Sequence, residues 1–291
     1  MEKCLYFNGL NVFKDNLSYC IDMIRLSCKI SSEKFERKIA SRLIVYGEKI
    51  NNWVSSRITD FYNNFNYIDD DCSFWFGFIS NKEKLEGKKI GSLNTEFNLT
   101  VEFNPNKVQD NKLLLSILKV SNNWFIKSCD FAVDVPTNIL NICGLDKGLK
   151  KCLMTYDCGG ADKTYYIGKR DNRVKIYNKS IESGLSNDLT RIEITKSLDN
   201  LPVKEVSSYM FEGYFPELFI NEYQISIDDC LGDKTLFAIV YAVSNGFPLH
   251  DLTRDYKKKV KEFLQNKKPI VIDFNGLSEC LKKYIFYYFN T

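Results

Sequence analysis

The sequence predicts an α+β fold: a mainly antiparallel sheet with packed helices, followed by a smaller helical C-terminal region. Segments with the period of a strand recur through the first two-thirds of the chain, and turn residues separate them. The last third changes to helical periods. With 291 residues and 44% apolar content, the chain can bury a substantial core. We expect a first domain over residues 1–205 and a second region over 206–291.

The N-terminal third combines strand and helix patterns. From Ile24 to Ile30, apolar and polar residues alternate, as in a half-buried strand. Residues 33–53 repeat apolar side chains four positions apart, which predicts an amphipathic helix on the sheet. Aromatic or apolar runs predict two more strands at 74–79 and 97–103 and a short helix at 113–120.

Three later segments also have the alternation of strands: CDFAVDVP at 129–136, KTYYIGKRDNRVKIYNK at 163–179 and LTRIEIT at 189–195. The pattern changes after Pro202. Residues 234–244 form an apolar helical run that Asn245 and Gly246 end. Residues 252–265 are then predicted to form a basic amphipathic helix.

Acidic residues fall on one predicted face of two of these strands. Side chains two apart in a strand point the same way, so Asp130, Ala132 and Asp134 share a face, with the carboxylates about 7 Å apart. Glu193 shares a face with Arg191 on LTRIEIT and supplies a third carboxylate. Such oxygen-rich sets suit a hard divalent cation. The alternative is that these residues lie on solvated strand faces.

A tyrosine with basic neighbours lies between those two strands. In VKIYNK, Tyr177 and Lys175 project to the same polar side, and Lys179 and Arg170 are close in sequence. Cations favour a phenolate and bind phosphate, so the hydroxyl of Tyr177 is a candidate phosphate-facing group. The alternative is a packing aromatic with a solvated hydroxyl.

Composition excludes several classes of protein. The single histidine, His250, cannot form a paired-histidine metal site and is expected to be structural. No GxxxxGK[ST] loop for nucleotides is present. Ten cysteines occur without CxxC pairs, as expected for reduced and mostly buried thiols. No apolar run is long enough for a membrane helix, and we expect a soluble cytoplasmic protein.

The net charge gives little indication of a binding partner, whereas one local cluster of basic residues is a candidate contact surface. The net charge is +3, far from the strongly basic balance of many nucleic-acid-binding proteins. Between Arg254 and Lys268, however, basic residues greatly outnumber acidic ones. This cluster is either a DNA-contacting surface or an ordinary solvated helix face.

Taken in order, the phrases DFAVDVPTN, GGADKTYYIGKRDNRVKIYNK and LTRIEIT resemble the replication initiation factor family (Rep_trans), which contains plasmid initiators and conjugative relaxases. The resemblance covers roughly residues 20–200. It implies that residues 1–205 form a nicking, relaxase-like domain, whose strand-nicking tyrosine in KIYNK corresponds to Tyr177. Tyr165 and Tyr166 in KTYYIG remain alternatives. It also implies that Asp130, Asp134 and Glu193 bind Mg²⁺ or Mn²⁺, and Lys175 or Arg191 could steady the developing charge.

The expected function is initiation of rolling-circle replication of a plasmid. Metal-dependent transesterification would form a 5′-phosphotyrosine and a free 3′ hydroxyl that primes synthesis. Expected partners are origin DNA, a second copy of the chain, and a host helicase and polymerase. Region 206–291 would serve origin binding or dimerisation. Residues expected to contact DNA are Arg170, Lys179, Lys257, Lys258, Lys259 and Lys261.

Three other functions remain open at this point. A conjugative relaxase would use the same chemistry. A non-catalytic origin-binding or regulatory protein would need none of it. A metal nuclease would use the same carboxylates with water as the nucleophile and would form no covalent adduct.

Overall fold

Antiparallel strands form most of the protein. The computed structural model describes residues 10–31, 50–52, 61–68, 73–79, 96–108, 110–145, 152–156, 163–167, 174–213, 215, 217–220, 227–244, 251–265 and 268–290. The strands are β1 Val12–Lys14, β2 Leu17–Ser31, β3 Ile50–Asn52, β4 Phe61–Ile68, β5 Ser73–Ile79, β6 Glu96–Phe103, β7 Phe125–Val135, β8 Ile142–Leu145, β9 Cys152–Tyr156, β10 Lys163–Ile167, β11 Val174–Asn178, β12 Thr190–Pro202, β13 Glu217–Ile220 and β14 Lys268–Ile270.

Within the described ranges, eleven of these strands form one sheet in the order β3-β4-β5-β6-β2-β7-β12-β11-β10-β9, and β1 pairs with β2. Its pairings are antiparallel. The predicted α+β class with a mainly antiparallel sheet is confirmed. The segments predicted as strands at 24–30, 74–79, 97–103 and 129–136 lie largely within β2, β5, β6 and β7, and the two later segments become β10, β11 and β12.

Five helices accompany the strands in the described part of the chain: α1 Lys112–Leu118, α2 Lys179–Ser183, α3 Lys234–Ser244, α4 Arg254–Gln265 and α5 Phe274–Asn290. Four of them begin with a short polar side chain that accepts backbone N–H bonds of the first turn, which would otherwise lack partners. These caps are Asn111 for α1, Asn178 for α2, Asp233 for α3 and Asp273 for α5.

The central strands β2, β7 and β12 have one apolar and one polar face. Ile24, Phe131 and Ile192 on the apolar face have no exposed surface, as period-two alternation requires when one face is buried. Helix α5 packs on this face of β2. It approaches closely at Gly276, where an added Cβ would lie 3.3 Å from carbons of the Tyr19 ring. The polar face is left for the candidate site.

A smaller unit has its own core. Strands β14, β13 and β8 form a three-stranded sheet. Phe219 of β13 packs in a second apolar cluster, and its other buried members are Cys230, Val240, Val243 and Val260. The helix predicted at 234–244 and the basic helix predicted at 252–265 correspond to α3 and α4 and are confirmed.

One sequence prediction is corrected by the fold. Residues 50–52, predicted as the end of a helix, form β3 because they pair with residues 65–67 of β4. The predicted helix residues 33–49 lie outside the described ranges. Helix α5 buries Leu277, Leu281 and Tyr284 in the same cluster as the main sheet, and the division into residues 1–205 and 206–291 stays a prediction.

Candidate active site

The polar face of the central sheet aligns the predicted site residues in rows. Strand β11 pairs with β12, and β12 pairs with β7. Tyr177 lies opposite Arg191, which in turn lies opposite Asp134. In the adjacent row, Lys175 lies opposite Glu193. Because directly opposed residues of antiparallel strands project to the same side, these side chains share one face.

Tyr177 is held by polar contacts on this face. Its hydroxyl donates a hydrogen bond to Oε2 of Glu193 over 3.2 Å. The Nζ atom of Lys175 lies 4.0 Å from that same oxygen and 4.0 Å from the centroid of the Tyr177 ring. Tyr177 is only 6% exposed, whereas the Lys175 side chain is 33% exposed. A ligand can therefore approach the phenol on the side that Lys175 borders.

Burial and charge keep the Tyr177 hydroxyl protonated. Burial raises the pKa of the phenol well above its usual value, the negative charge of Glu193 raises it further, and Arg191 lowers it only partly. The cation of Arg191 favours the phenolate, as predicted for neighbouring cations, but burial and Glu193 outweigh it. Burial also raises the pKa of Glu193 to about 7, although Lys175 lowers it. Glu193 is thus a carboxylate poised to accept the phenol proton near neutral pH.

Arg191 lies beneath the surface in a tight ion cluster. Its side chain is 1% exposed. The Nε and Nη2 atoms donate to the two carboxylate oxygens of Asp134 over 2.7 and 2.8 Å. Its Nη1 atom donates to Oδ1 of Asp22 over 2.6 Å. A guanidinium enclosed in this way acts on Tyr177 through its charge, not by touching a substrate.

Asp134 is engaged with Arg191. It is 2% exposed, and both of its oxygens accept from Arg191. It therefore orients the arginine, and its predicted role as a metal ligand stays a prediction. Across the ranges that the structure describes, no group of three or more histidine, cysteine, aspartate or glutamate side chains is arranged to hold a metal.

Asp130 and Glu193 remain as predicted carboxylates on the open part of the face. Asp130 lies opposite Thr195 in the next row. Burial raises the pKa of Asp130, and the negative charge of Asp22 adds to that rise, while a hydrogen bond with Thr195 lowers it. Both acids are partly buried and have raised pKa values, and of the two it is Glu193 that contacts Tyr177.

Asp22 lies outside every motif identified in the sequence. The pairing of β2 with β7 is irregular between Ile21 and Met23, which places Asp22 in a β-bulge. The signal was present in the sequence: the core residues Ile21 and Ile24 are three positions apart, which breaks the period of two. An extra residue in such a strand is a site where a side chain can be aimed differently.

The structure separates the alternative nucleophiles. Tyr166 lies opposite Lys175 and hence on the polar face, whereas Tyr165 lies opposite Ile176 and packs against the main core. Tyr166 is therefore the alternative that shares a face with Tyr177. His250 lies outside the described residues.

The residues predicted to contact DNA fall into three groups. Arg170 lies outside the described residues. Lys179 is 5% exposed and forms an ion pair with Glu182, so it cannot reach a phosphate without losing that partner. The others lie on α4: Lys257, Lys258, Lys259 and Lys261.

The exposed lysines of α4 have weak ionic partners. Lys258 is 79% exposed and lies 3.7 Å from Glu262. Lys259 is 51% exposed and lies 3.6 Å from Asp233. Contacts of this length at the surface contribute little and exchange readily for a phosphate.

None of the described helices has the length and apolar character to cross a membrane.

Comparison with known proteins does not identify a family. No family model matches the sequence, and no curated protein matches it. A solved rolling circle replication initiator protein from Geobacillus stearothermophilus is 12% identical, with 86% of this chain and 97% of that chain covered and a TM-score of 0.38. A TM-score this low does not establish a shared fold. Membership of the replication initiation factor family stays a prediction.

Proposed function

We propose that this chain initiates rolling-circle replication by nicking one strand of origin DNA, with Tyr177 as the nucleophile. The observation that carries the proposal is the hydrogen bond of 3.2 Å from the Tyr177 hydroxyl to Glu193, beside the cation of Lys175. A nucleophile, a proton acceptor and a phosphate-binding cation are the groups that tyrosine transesterification requires. The motif resemblance supports origin DNA as the substrate.

The reaction follows from this arrangement. The Tyr177 oxygen attacks the scissile phosphorus in line, the bond from phosphorus to the 3′ oxygen breaks, and the tyrosine becomes esterified to the 5′ phosphate. The phenol proton passes to Glu193, and the departing 3′ oxygen takes up a proton from water. Because one phosphate ester replaces another, the step is reversible and needs no nucleotide. The free 3′ hydroxyl can prime a polymerase.

Lys175 is the residue best placed to meet the phosphate. It lies on the row of Glu193 and is partly exposed, with 33% of its side chain accessible. A lysine ammonium there attracts the phosphodiester and offsets charge that develops on its oxygens. The enclosed Arg191 contributes a fixed positive charge from below.

The donor set fits a divalent cation in part. Asp130 and Glu193 offer hard oxygen ligands on the open face, and burial, followed by the negative charge of Asp22, raises the pKa of both. Asp134 does not fit, since Arg191 occupies its oxygens. With Glu193 kept as the proton acceptor, Mg²⁺ or Mn²⁺ held by Asp130 would supply Lewis-acid polarisation of the phosphate.

A separate surface supports duplex binding. Helix α4 presents Lys257, Lys258, Lys259 and Lys261, outside the row that contains Tyr177. Phosphate contacts there would hold origin DNA without taking part in bond breaking. Binding and cleavage are therefore assigned to different parts of the chain.

The test is formation of a covalent protein–DNA species with overlapping single-stranded oligonucleotides from the element that encodes the chain. The native protein with Mn²⁺ should shift one labelled oligonucleotide on a denaturing gel. Tyr177→Phe should form no adduct, because it removes only the attacking oxygen, while still binding the oligonucleotide.

Tyr166→Phe and Tyr165→Phe are the matched controls, and both should retain the adduct. Loss of the adduct in Tyr166→Phe with its retention in Tyr177→Phe would assign the nucleophile to Tyr166. Cleavage without any adduct in the native protein would indicate hydrolysis by water, and no cleavage with any oligonucleotide would reject the nicking function.

A further inference from the structure

We propose that Asp22 is a positioning residue for strand transfer: together with Asp134 it clamps the guanidinium of Arg191 beside Tyr177. This inference rests on the proposed function and adds a residue that the sequence motifs do not contain. Asp22 lies on β2, and Arg191 lies on β12, two strands further along the sheet. The contact between them therefore links β2 to β12 across β7.

The clamp uses every nitrogen of the guanidinium. Asp134 accepts from Nε and Nη2, and Asp22 accepts from Nη1 over 2.6 Å. A bidentate pair fixes the plane of the guanidinium, and a third contact on the remaining nitrogen prevents tilting about that pair. Arg191 itself is 1% exposed, so no solvent contact can replace a lost partner.

Asp22 is itself held in place. The Nδ2 atom of Asn104 donates to the same Oδ1 atom over 3.3 Å. The β-bulge between Ile21 and Met23 adds the residue that brings this carboxylate to Arg191. Unlike Asp134, Asp22 has a side chain that is 22% exposed. It is therefore the member of the clamp that can be replaced with the least disturbance of the core.

The position of Arg191 matters because its charge acts on both reacting groups. Arg191 lies directly opposite Tyr177 and two residues from Glu193 on β12, so its charge lies on the same face as both reacting groups. If the guanidinium tilts away, the emerging negative charge on the tyrosine oxygen loses a fixed buried cation on the neighbouring strand. Errors of about 1 Å in such a site cost on the order of 100-fold in rate.

The experiment measures single-turnover adduct formation with Mn²⁺ on the oligonucleotide that the native protein cleaves. Asp22→Ala should lower the rate constant by about 10- to 100-fold, with the dissociation constant for the oligonucleotide within about threefold of native. Asp22→Asn should restore the rate to within about threefold of native, because its amide oxygen can still accept from Arg191. Asp228→Asn, at an exposed residue, is the matched control for loss of one charge.

Two further measurements separate the explanations. Thermal melting identifies any variant that fails to fold, and Asp22→Asn keeps the test decisive if Asp22→Ala does not fold. The Mn²⁺ concentration for half-maximal rate should be unchanged in both variants. Asp22→Ala at the native rate would overturn the proposal. The proposal would also be overturned if Asp22→Asn reacted as slowly as Asp22→Ala and needed a tenfold higher Mn²⁺ concentration, since that result assigns Asp22 to cation binding. Absence of any adduct with native protein would instead reject the proposed function.

Discussion

Charged residues occupy two contrasting settings in this protein, the cluster around Arg191 and the surface of helix α4. The side chains of Arg191 and Asp134 are 1% and 2% exposed, and the Nε atom of Arg191 lies 2.7 Å from the Oδ1 atom of Asp134. The side chains of Lys258 and Glu262 are 79% and 60% exposed, and the Nζ atom of Lys258 lies 3.7 Å from the Oε1 atom of Glu262. The first pair fixes the geometry of a site, whereas the second leaves its charges available to solvent and to a polyanion.

The two settings differ in how far the charges are buried from water, not in residue type. Removing one partner of a buried pair leaves an uncompensated charge in the interior and costs about 3–5 kcal/mol. An exposed pair contributes about 0.2–1 kcal/mol and is screened by salt. We therefore expect substitutions in the buried cluster to affect rate and stability, and substitutions on α4 to affect affinity and its salt dependence.

The largest expected effect is on the rate of adduct formation in Glu193→Gln. Glutamine keeps the size of the side chain and a hydrogen-bonding oxygen, but it cannot accept the Tyr177 proton at neutral pH. Loss of a positioned general base lowers rates by about 10²- to 10⁴-fold. Single-turnover kinetics on a cleavable oligonucleotide would measure this change.

Glu262→Gln on α4 removes the same charge from the exposed region and should leave that rate unchanged. Equal rates for the Glu193→Gln and native proteins would show that Glu193 takes no part in proton transfer. The contrast between the two regions would then be limited to stability.

The second prediction concerns the free energy of unfolding. Asp134→Ala should lower it by about 3–5 kcal/mol, because Arg191 stays buried with Asp22 as its remaining carboxylate. Glu262→Ala should change it by about 0.5 kcal/mol or less. Urea denaturation of both variants gives the comparison. A loss below about 1 kcal/mol in Asp134→Ala would mean that the buried pair contributes no more than a surface pair.

Local periodicity predicted the faces of the site but not its contacts. Alternation within a strand is enough to place Asp130 with Asp134 and Arg191 with Glu193, because each pair lies on one strand. The bond from Arg191 to Asp134 depends on which strands pair and in what register, which short motifs do not specify. Register is what places Asp134 opposite Arg191.

The same limit applies to longer-range features. Asp22 reaches Arg191 across a separation of 169 residues, and only the break in period at Ile21 and Ile24 hinted at its bulge. A helical C-terminal region was predicted, but not the bounds of helix α5 or that it packs on β2 and joins the main core. Burial reversed the expected effect on Tyr177, because the sequence shows nearby cations but not the loss of water around the phenol.

The smallest expected effect concerns α4 and tests whether its exposed charges serve DNA. Replacing Lys257, Lys258 and Lys259 with alanine should weaken binding to duplex origin DNA and flatten its salt dependence by up to about one log–log unit per lost contact. Weak partners at 3.6 and 3.7 Å leave Lys259 and Lys258 free to exchange for phosphate. Cleavage of a single-stranded oligonucleotide should persist, because the Tyr177 row is untouched.

A control variant with alanine at the exposed residues Lys119, Lys127 and Lys204 removes the same net charge elsewhere. Binding measured across a salt series should show a larger change of slope for the α4 variant, since net charge alone would alter both variants equally. Equal slopes would make α4 an ordinary solvated helix face and would move the origin-binding surface to another part of the chain.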